Sequence, residues 1–512
     1  MQTEDDIYLY TPKKQIGNTV NVWMAFPSSK AFALSSLGYM WLSKQLEERS
    51  DINIERINTE TASTAIKPKD VDLAGFSFTF DTDFINVFTI LDRFNIPLRS
   101  SDRGENTPVV FAGGPVVTAN PAPYEAFFDF FIIGDGEVLN EKVVDIYAKS
   151  KDKDSFLRKI SNIDGIYVPK YKRTVIKSTE KLSECIYTPI ISQKAYFSDT
   201  FIIEISRGCA NRCGFCLASY INLPLRCLPC QNILDAIDLG LSRTNKIALL
   251  GAQLSAHPDF EKICEHIYNK HQTENPKIEM SLSSLRVDAV TPKITKILSE
   301  LGQRNITLAI EAGSERLRNL INKNLTKEQI FNAVDIAKKQ GIKGLKLYGM
   351  IGLPTETQND IEELIELAKE IKTKYKSFDI SFGISTFVPK PHTPFQWYGR
   401  EDTKSLEKKS QYLQKELHKL GILASVSSPK WDYWQAVLSR GDSTLSDFLE
   451  LVYKKGGSLG AYKNAAKELN IDADFFAYRN IPFDETLPWD FLTFKPGKDF
   501  LIKENKRLSG KN

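Results

Sequence analysis

At 512 residues the chain is too long for one ordinary core, and two or three domains are expected. Its 42% hydrophobic and 26% charged residues are those of a soluble globular protein, and a formal net charge of +3 points to neither nucleic acid nor an anionic membrane as the main partner. The acidic start Met1-Gln2-Thr3-Glu4-Asp5-Asp6 is no secretory signal, and no apolar run reaches the roughly 18–20 residues of a membrane span, so a cytoplasmic protein without a membrane span is expected.

Residues 1–190 alternate strand-like and helix-like segments. Val22-Trp23-Met24-Ala25-Phe26, then 71–77, 108–112 and 130–133, read as buried strands, with helices at 37–46 and 84–94. The later strands run into glycine-rich turns, Gly113-Gly114-Pro115 and Gly134-Asp135-Gly136-Glu137. This predicts a doubly wound parallel sheet, in which ligands sit at the carboxyl ends of strands; Ser77, Gly113 and Gly114 fall there.

A second α/β series occupies 195–395. Strands are predicted at 201–206, 246–251, 277–284, 306–311, 343–351 and 379–387, and helices at 231–242, 258–270, 291–301, 326–340 and 358–374. Six βα units make a (β/α)6 partial barrel the expected form, with its chemistry on the loops after the strands. From 396 to 512 the pattern is mainly helical (401–420, 432–439, 443–455, 460–470), and the closing Lys506-Arg507-Leu508-Ser509-Gly510-Lys511-Asn512 reads as a solvated end.

The seven cysteines are odd in number and mostly crowded between Cys209 and Cys230, which suits metal or redox chemistry better than a disulfide framework. Arg207-Gly208-Cys209-Ala210-Asn211-Arg212-Cys213-Gly214-Phe215-Cys216 directly follows the first barrel strand. Thiolates are the soft ligands that iron–sulfur clusters take, and three of them on a four-iron cluster leave one iron open for chemistry. Arg207 and Arg212 are expected to help ionise the thiols. A zinc site completed by Cys227 or Cys230 is the alternative on spacing alone; that same pair could otherwise hold an auxiliary cluster. His392, in the proline-fixed turn Pro389-Lys390-Pro391-His392-Thr393-Pro394, is a candidate acid/base group.

The cysteine spacing, with Phe215 just before the third cysteine, resembles the radical S-adenosylmethionine (SAM) superfamily. The resemblance implies a [4Fe–4S] cluster on Cys209, Cys213 and Cys216, and SAM bound through its amino and carboxylate groups to the open iron. It implies SAM contacts at Gly251, Ala252 and Gln253, where the family's Gly-Gly-Glu turn is altered, and at Ser283, Ser284, Arg286, Glu311 and Ser314. Met350 and Gly352 would lie against adenine. The first region resembles the cobalamin-binding-like domain that precedes many radical SAM cores, and the chain as a whole resembles a poorly characterised group of such proteins. Cobalamin is therefore expected, without a histidine ligand from this domain, since the first histidine in the chain is His257.

The function so implied is reductive cleavage of SAM to a 5′-deoxyadenosyl radical for cobalamin-dependent methylation of an unactivated carbon, with a flavodoxin- or ferredoxin-like electron donor. A cobalamin-independent rearrangement, cyclisation or C–C coupling is the alternative, and a non-catalytic metal-binding scaffold is a third reading. The sequence leaves the substrate open.

Overall fold

The structure is a computed structural model that describes residues 6–17, 19–273 and 277–510. The acidic residues 1–5 and the terminal pair 511–512 therefore lie outside the described residues. No helix among those described is long and apolar enough to cross a membrane.

The first region forms a six-stranded sheet in the order Ile52–Asn58, Val20–Phe26, Leu73–Ser77, Val109–Gly113, Phe130–Ile132, Ile166–Tyr167. Its first five strands are parallel, and the last is antiparallel to its neighbour. Central strands such as Leu73–Ser77 are buried almost throughout, as a parallel sheet covered on both faces requires. Ile52–Asn58 has no place among the predicted strands. It is an edge strand whose inner residues Asn53 to Arg56 are half-buried, so it lacks the continuous apolar run that marks the others.

One face of this sheet packs on helices Leu37–Glu47, Glu137–Ala148 and Lys153–Ile160. The other face shares a core with Phe84–Arg93 and with Trp434, Phe448, Leu449 and Tyr462 from the C-terminal helices. The doubly wound sheet thus borrows much of its second helical layer from the far end of the chain. Arg99 reinforces the junction, with its Nη2 and Nε each 2.6 Å from Asp447 and Glu450 respectively.

The barrel strands are Thr200–Glu204, Lys246–Leu250 and Glu279–Leu282, then Asn305–Glu311, Gly344–Ile351 and Asp379–Thr386, all parallel to their neighbours. An isolated parallel bridge between Leu285 and Leu308 joins the two halves. A seventh strand, Leu423–Val426, extends the barrel into a region expected to be helical. It follows helix Thr403–Lys419 and so completes one more βα repeat; with two residues exposed and two half-buried, it gave no strand signal in the sequence.

At the C-terminal end Lys506, Arg507 and Gly510 are exposed, and residues 506–510 belong to helix Lys498–Ser509 and its left-handed Gly510 cap, which packs on one side. Leu501, Asn505 and Leu508 are buried, and the Asn505 side-chain amide donates to the Pro394 carbonyl at 2.6 Å.

Candidate active site at the cysteine loop

The loop after the first barrel strand is fixed by two glycines with different roles. Gly208 has φ +90°, and a Cβ there would lie 2.5 Å from the Asn222 carbonyl oxygen, so the chain can turn tightly only with glycine. At Gly214 a Cβ would meet the Phe395 ring at 2.7 Å. Its backbone N–H donates to Ile321, while its carbonyl accepts from Phe395, both at 3.0 Å. The loop is thereby stitched to the turns after the fourth and sixth barrel strands.

Cys209, Cys213 and Cys216 line a cavity of about 240 Å3, with Phe215, Ala252 and Gln253 among the walls. Ser284, Arg286 and Glu311 line it too. Among the described residues no three His, Cys, Asp or Glu side chains converge on a point where one metal ion would sit. Three cysteine thiols on the wall of one cavity are a ligand set that a four-iron cluster with one open iron takes.

Burial pushes the Cys213 thiol up to about 12 and the Cys216 thiol upward as well. Bound metal is the charge that ionises such thiols outright. The supporting cation is neither of the expected arginines. Arg207 is held by Asp135 at 2.8 Å, Glu137 at 2.6 Å and Glu204 at 2.8 Å, so its charge is already spent, and Arg212 lies over the Phe500 ring at 5.3 Å. Lys323, buried and lining the cavity, pulls Cys213 the other way and sits 3.1 Å from Glu311. Glu311 itself is held at φ +66°, where the strand pairing slips by one residue. Arg318 maintains that turn by donating to the Ala312, Gly313 and Leu325 carbonyls.

The altered turn after the second strand has a local partner. Gln253 Oε1 accepts from Asn211 Nδ2 at 2.6 Å and from the Cys209 thiol at 3.5 Å, tying this turn to the cysteine loop. Gly251 stands beside Ser206, whose Oγ a Cβ would approach to 2.7 Å.

Several expected site residues lie elsewhere. Ser283 is exposed and off the cavity wall, whereas Ser284, expected beside it, lines the cavity. Ser314 is buried and spent locally: its hydroxyl donates to Asp360 at 2.5 Å and accepts from the Leu317 N–H as the N-cap of Glu315–Leu320. Gly352 faces Leu406, which a Cβ would approach to 2.7 Å, and its N–H donates to Glu356, so its missing side chain serves helix packing. Met350 packs with Phe215 in a small apolar cluster behind the wall. His392 is buried and stacked on Phe494 at 3.8 Å, its Nε2 donating to the Ala119 carbonyl at 3.1 Å. Burial holds it down to about 3, so it stays neutral and has no access to a reacting group. Cys227 pairs with Ser206 in a two-residue ladder and Cys230 begins helix Cys230–Leu241; neither reaches the cavity wall. Lys323 carried no distinctive sequence signal, because it lies in a polar turn that only the fold brings to the cysteines, whereas Asn211 stands inside the cysteine motif and only its bond to Gln253 needed the fold.

A second cavity, about 360 Å3, opens at the carboxyl ends of the N-terminal sheet strands and is lined by Ser77, Gly113 and Gly114. Arg207, Ile221 and Asn222 close it from the barrel side. Its glycines also have packing reasons: Gly114 sits at φ +114° with the Phe78 carbonyl oxygen 2.5 Å from where its Cβ would be.

A partial (βα) barrel with three thiols after its first strand, carrying a Rossmann-like sheet at its amino side, defines a cofactor-dependent α/β enzyme. Residues 203–368 match the Radical SAM superfamily model, and residues 40–169 match the model for the N-terminal region of radical SAM proteins. The chain is 32% identical to an uncharacterized protein, MJ0966, of Methanocaldococcus jannaschii over 84% of this chain and 90% of the relative. It is 25% identical to the uncharacterized methyltransferase PH0819 of Pyrococcus horikoshii, over 67% of this chain and 75% of that one. The chain belongs to the radical SAM superfamily. Its fold is similar to that of the cobalamin-dependent SAM radical enzyme OxsB with aqua-cobalamin and SAM bound (TM-score 0.55, 13% identity, 96% of this chain and 79% of that one). It is also similar to the radical SAM methyltransferase TsrM from Kitasatospora setae with cobalamin and a [4Fe–4S] cluster bound (TM-score 0.53, 11% identity, 72% and 75%).

Proposed function

We propose that this radical SAM enzyme methylates an unactivated carbon of its substrate, with cobalamin in the N-terminal cavity and a [4Fe–4S] cluster on Cys209, Cys213 and Cys216. The observation that carries the reading is one short helix, Leu217–Ile221, which leaves the third cysteine and forms a wall of both cavities: Ala218 and Ser219 face the cysteine cavity and Ile221 the N-terminal one. Two cofactors bound on either side of a single five-residue helix can act on one substrate. The methyltransferase name of the P. horikoshii relative and the cobalamin held by both structural neighbours support the same reading.

The three thiols and the cavity beside them fit a cluster with one open coordination position, and when bound it supplies the electron that cleaves SAM to methionine and a 5′-deoxyadenosyl radical. The chain's own part is placement and exclusion of water. Ala252 and Gln253 present a turn toward the amino group of SAM, with Gln253 positioned by Asn211. On the same wall Lys323, paired with Glu311, and Arg286, paired with Asp288 through Nε alone, keep N–H donors that could meet its carboxylate. Cys209 and Cys213 are each 8% exposed, so the cluster would be shielded except on the cavity side. The residues that would hold a corrinoid in the N-terminal cavity include Ser77, Gly113 and Gly114, and no histidine is among them, the first in the chain being His257. An external reductant of the flavodoxin or ferredoxin type supplies the electron.

The test is anaerobic reconstitution with iron, sulfide and hydroxocobalamin, followed by SAM and dithionite. About four irons per chain, bound cobalamin and 5′-deoxyadenosine are expected, all but the cobalamin being lost in Cys213→Ala. An active, reconstituted enzyme whose N-terminal cavity takes up no cobalamin would overturn the methylation reading. A folded chain that binds iron yet forms no 5′-deoxyadenosine would overturn the SAM assignment.

A further inference from the structure

A third cavity, about 180 Å3, lies where all three regions of the chain meet. Thr79 and Pro115 belong to its wall and to that of the N-terminal cavity, and Leu217 brings in the first residue of the helix that borders the other two. Leu217–Ile221 is thus a common wall of all three spaces.

The floor is a polar network assembled from distant parts of the sequence. Asp81 follows a strand of the N-terminal sheet, Lys390 follows the last of the six predicted barrel strands, and Gln435 and Ser439 lie one turn apart on helix Pro429–Arg440. Lys390 Nζ donates to Asp81 Oδ2 at 2.7 Å and to Ser439 Oγ at 2.6 Å. Ser439 Oγ in turn donates to Asp81 Oδ1 at 2.9 Å, and Gln435 Nε2 donates to Asp81 Oδ2 at 3.2 Å. Asp81 and Ser439 are buried, and the Lys390 side chain is 17% exposed. Most of the remaining wall, Phe80, Pro115, Val116, Ala119, Leu217 and Pro391, is apolar; Thr79 adds a hydroxyl, and the Asn120 side chain is taken by the Ser439 and Gly441 carbonyls and the Ala122 N–H.

The network has unused capacity of a defined kind. An ammonium has three N–H donors and Lys390 uses two; an amide has two N–H donors and a carbonyl, of which Gln435 uses one N–H, counting partners among the described residues. Within the floor network two N–H donors and one carbonyl acceptor remain, and the Thr79 hydroxyl on the wall can serve as either. The Asp81–Lys390 pair is neutral as a unit, so the pocket has no net charge with which to hold a free anion or cation. A neutral group with one carbonyl and one N–H matches these valences, and the apolar walls match a short carbon body. At the ~30 Å3 that a water occupies in the liquid, the space takes a fragment of about six non-hydrogen atoms.

We propose that this cavity is the substrate-anchoring site and that it takes a secondary amide, so that the substrate is a peptide or another amide-bearing molecule whose neighbouring carbon faces the two cofactor cavities. Naming the bound group as substrate rests on the function proposed above; the amide specificity rests on the pocket alone.

Ligand-observed saturation-transfer NMR on the full-length reconstituted protein, without SAM or reductant, tests it with N-methylacetamide, acetate and methylammonium at equal concentration. N-methylacetamide should bind in preference to both ions. Gln435→Leu, which leaves the Asp81–Lys390–Ser439 contacts in place, should weaken it about tenfold, as loss of roughly 1.4 kcal/mol of hydrogen bonding entails. Gln435→Met, of similar length and without a polar N–H or carbonyl, should do the same, and iron content and far-UV circular dichroism report folding of both. Preference for acetate or methylammonium, no binding of the amide by the wild type, or unchanged amide binding in whichever of these variants folds overturns the proposal. Because binding is read without turnover, a protein that takes the amide but yields no 5′-deoxyadenosine overturns the radical reading and leaves this one standing.

Discussion

Glu311 shows how a strained residue is kept. Its φ of +66° costs a non-glycine residue roughly 1–2 kcal/mol, yet the position is occupied by a carboxylate that pairs with the buried Lys323. Glu311→Gly would relieve the strain but leave a lysine uncompensated beside the cysteines, a loss of about 3–5 kcal/mol. The second effect wins, and a net destabilisation of about 2 kcal/mol is expected from chemical denaturation of the two proteins, with weaker iron retention. His392 makes a prediction in pH. Burial holds it down to about 3, against an ordinary value near 6.5, so the unfolded chain takes up a proton that the folded chain refuses. Its stabilising contribution is therefore complete above about pH 6.5 and falls as pH drops toward 3, by up to about 1.4 kcal/mol per pH unit. Asp83, which burial raises to about 7, has the opposite sign, since the folded chain keeps its proton longer. The readout is accordingly a difference: the loss of stability between pH 7 and pH 5 should be smaller in His392→Gln than in the wild type.

Secondary elements separate capping from catalysis. Ser314 sits after a barrel strand in a polar turn, where a cofactor contact and a helix cap look alike in sequence; its hydroxyl is taken by Leu317 N–H and Asp360. Ser314→Ala should lower stability by about 1 kcal/mol and leave 5′-deoxyadenosine formation with SAM and reductant unchanged; a large fall in that product at full iron content would return Ser314 to the site. Gly240 separates propensity from packing. Alanine would gain up to about 1 kcal/mol in helix Cys230–Leu241, but its Cβ would lie 2.2 Å from the Phe201 ring, and overpacking costs about 1–3 kcal/mol. Gly240→Ala is expected to lower the thermal midpoint. The long elements were legible from periodicity: helix Gln358–Lys374 has the range predicted for it, and Gly344–Ile351 differs by one residue. Ile52–Asn58 and Leu423–Val426, two of the strands without a sequence signal, lie at sheet edges where half-buried or exposed residues erase the apolar run, and Ile166–Tyr167 is too short to show one.

On the scale of the whole molecule, the C-terminal helices are part of the N-terminal fold. Trp434, Phe448 and Tyr462 share one core with Phe78, Phe84 and Phe88 of the first region, and strand Leu492–Thr493 pairs in parallel with Val175–Ile176. A chain ending at residue 395 would expose that face of the sheet and lose the wall that holds Gln435 and Ser439. It is expected to aggregate or to bind 8-anilinonaphthalene-1-sulfonate; a monomeric, dye-negative 1–395 fragment would show that the helices are a separate unit. The cysteine loop, its place after the first barrel strand and the alternation of two α/β series could be read from the sequence alone, because spacing and periodicity are local properties of the chain. Sequence spacing could not show that Lys323, and not Arg207 or Arg212, stands by the thiols, that His392 is locked to the backbone, or that three cavities share Leu217–Ile221. Those facts depend on which side chains distant strands and helices bring together, and on where each buried charge finds its partner; only the packed tertiary structure decides either.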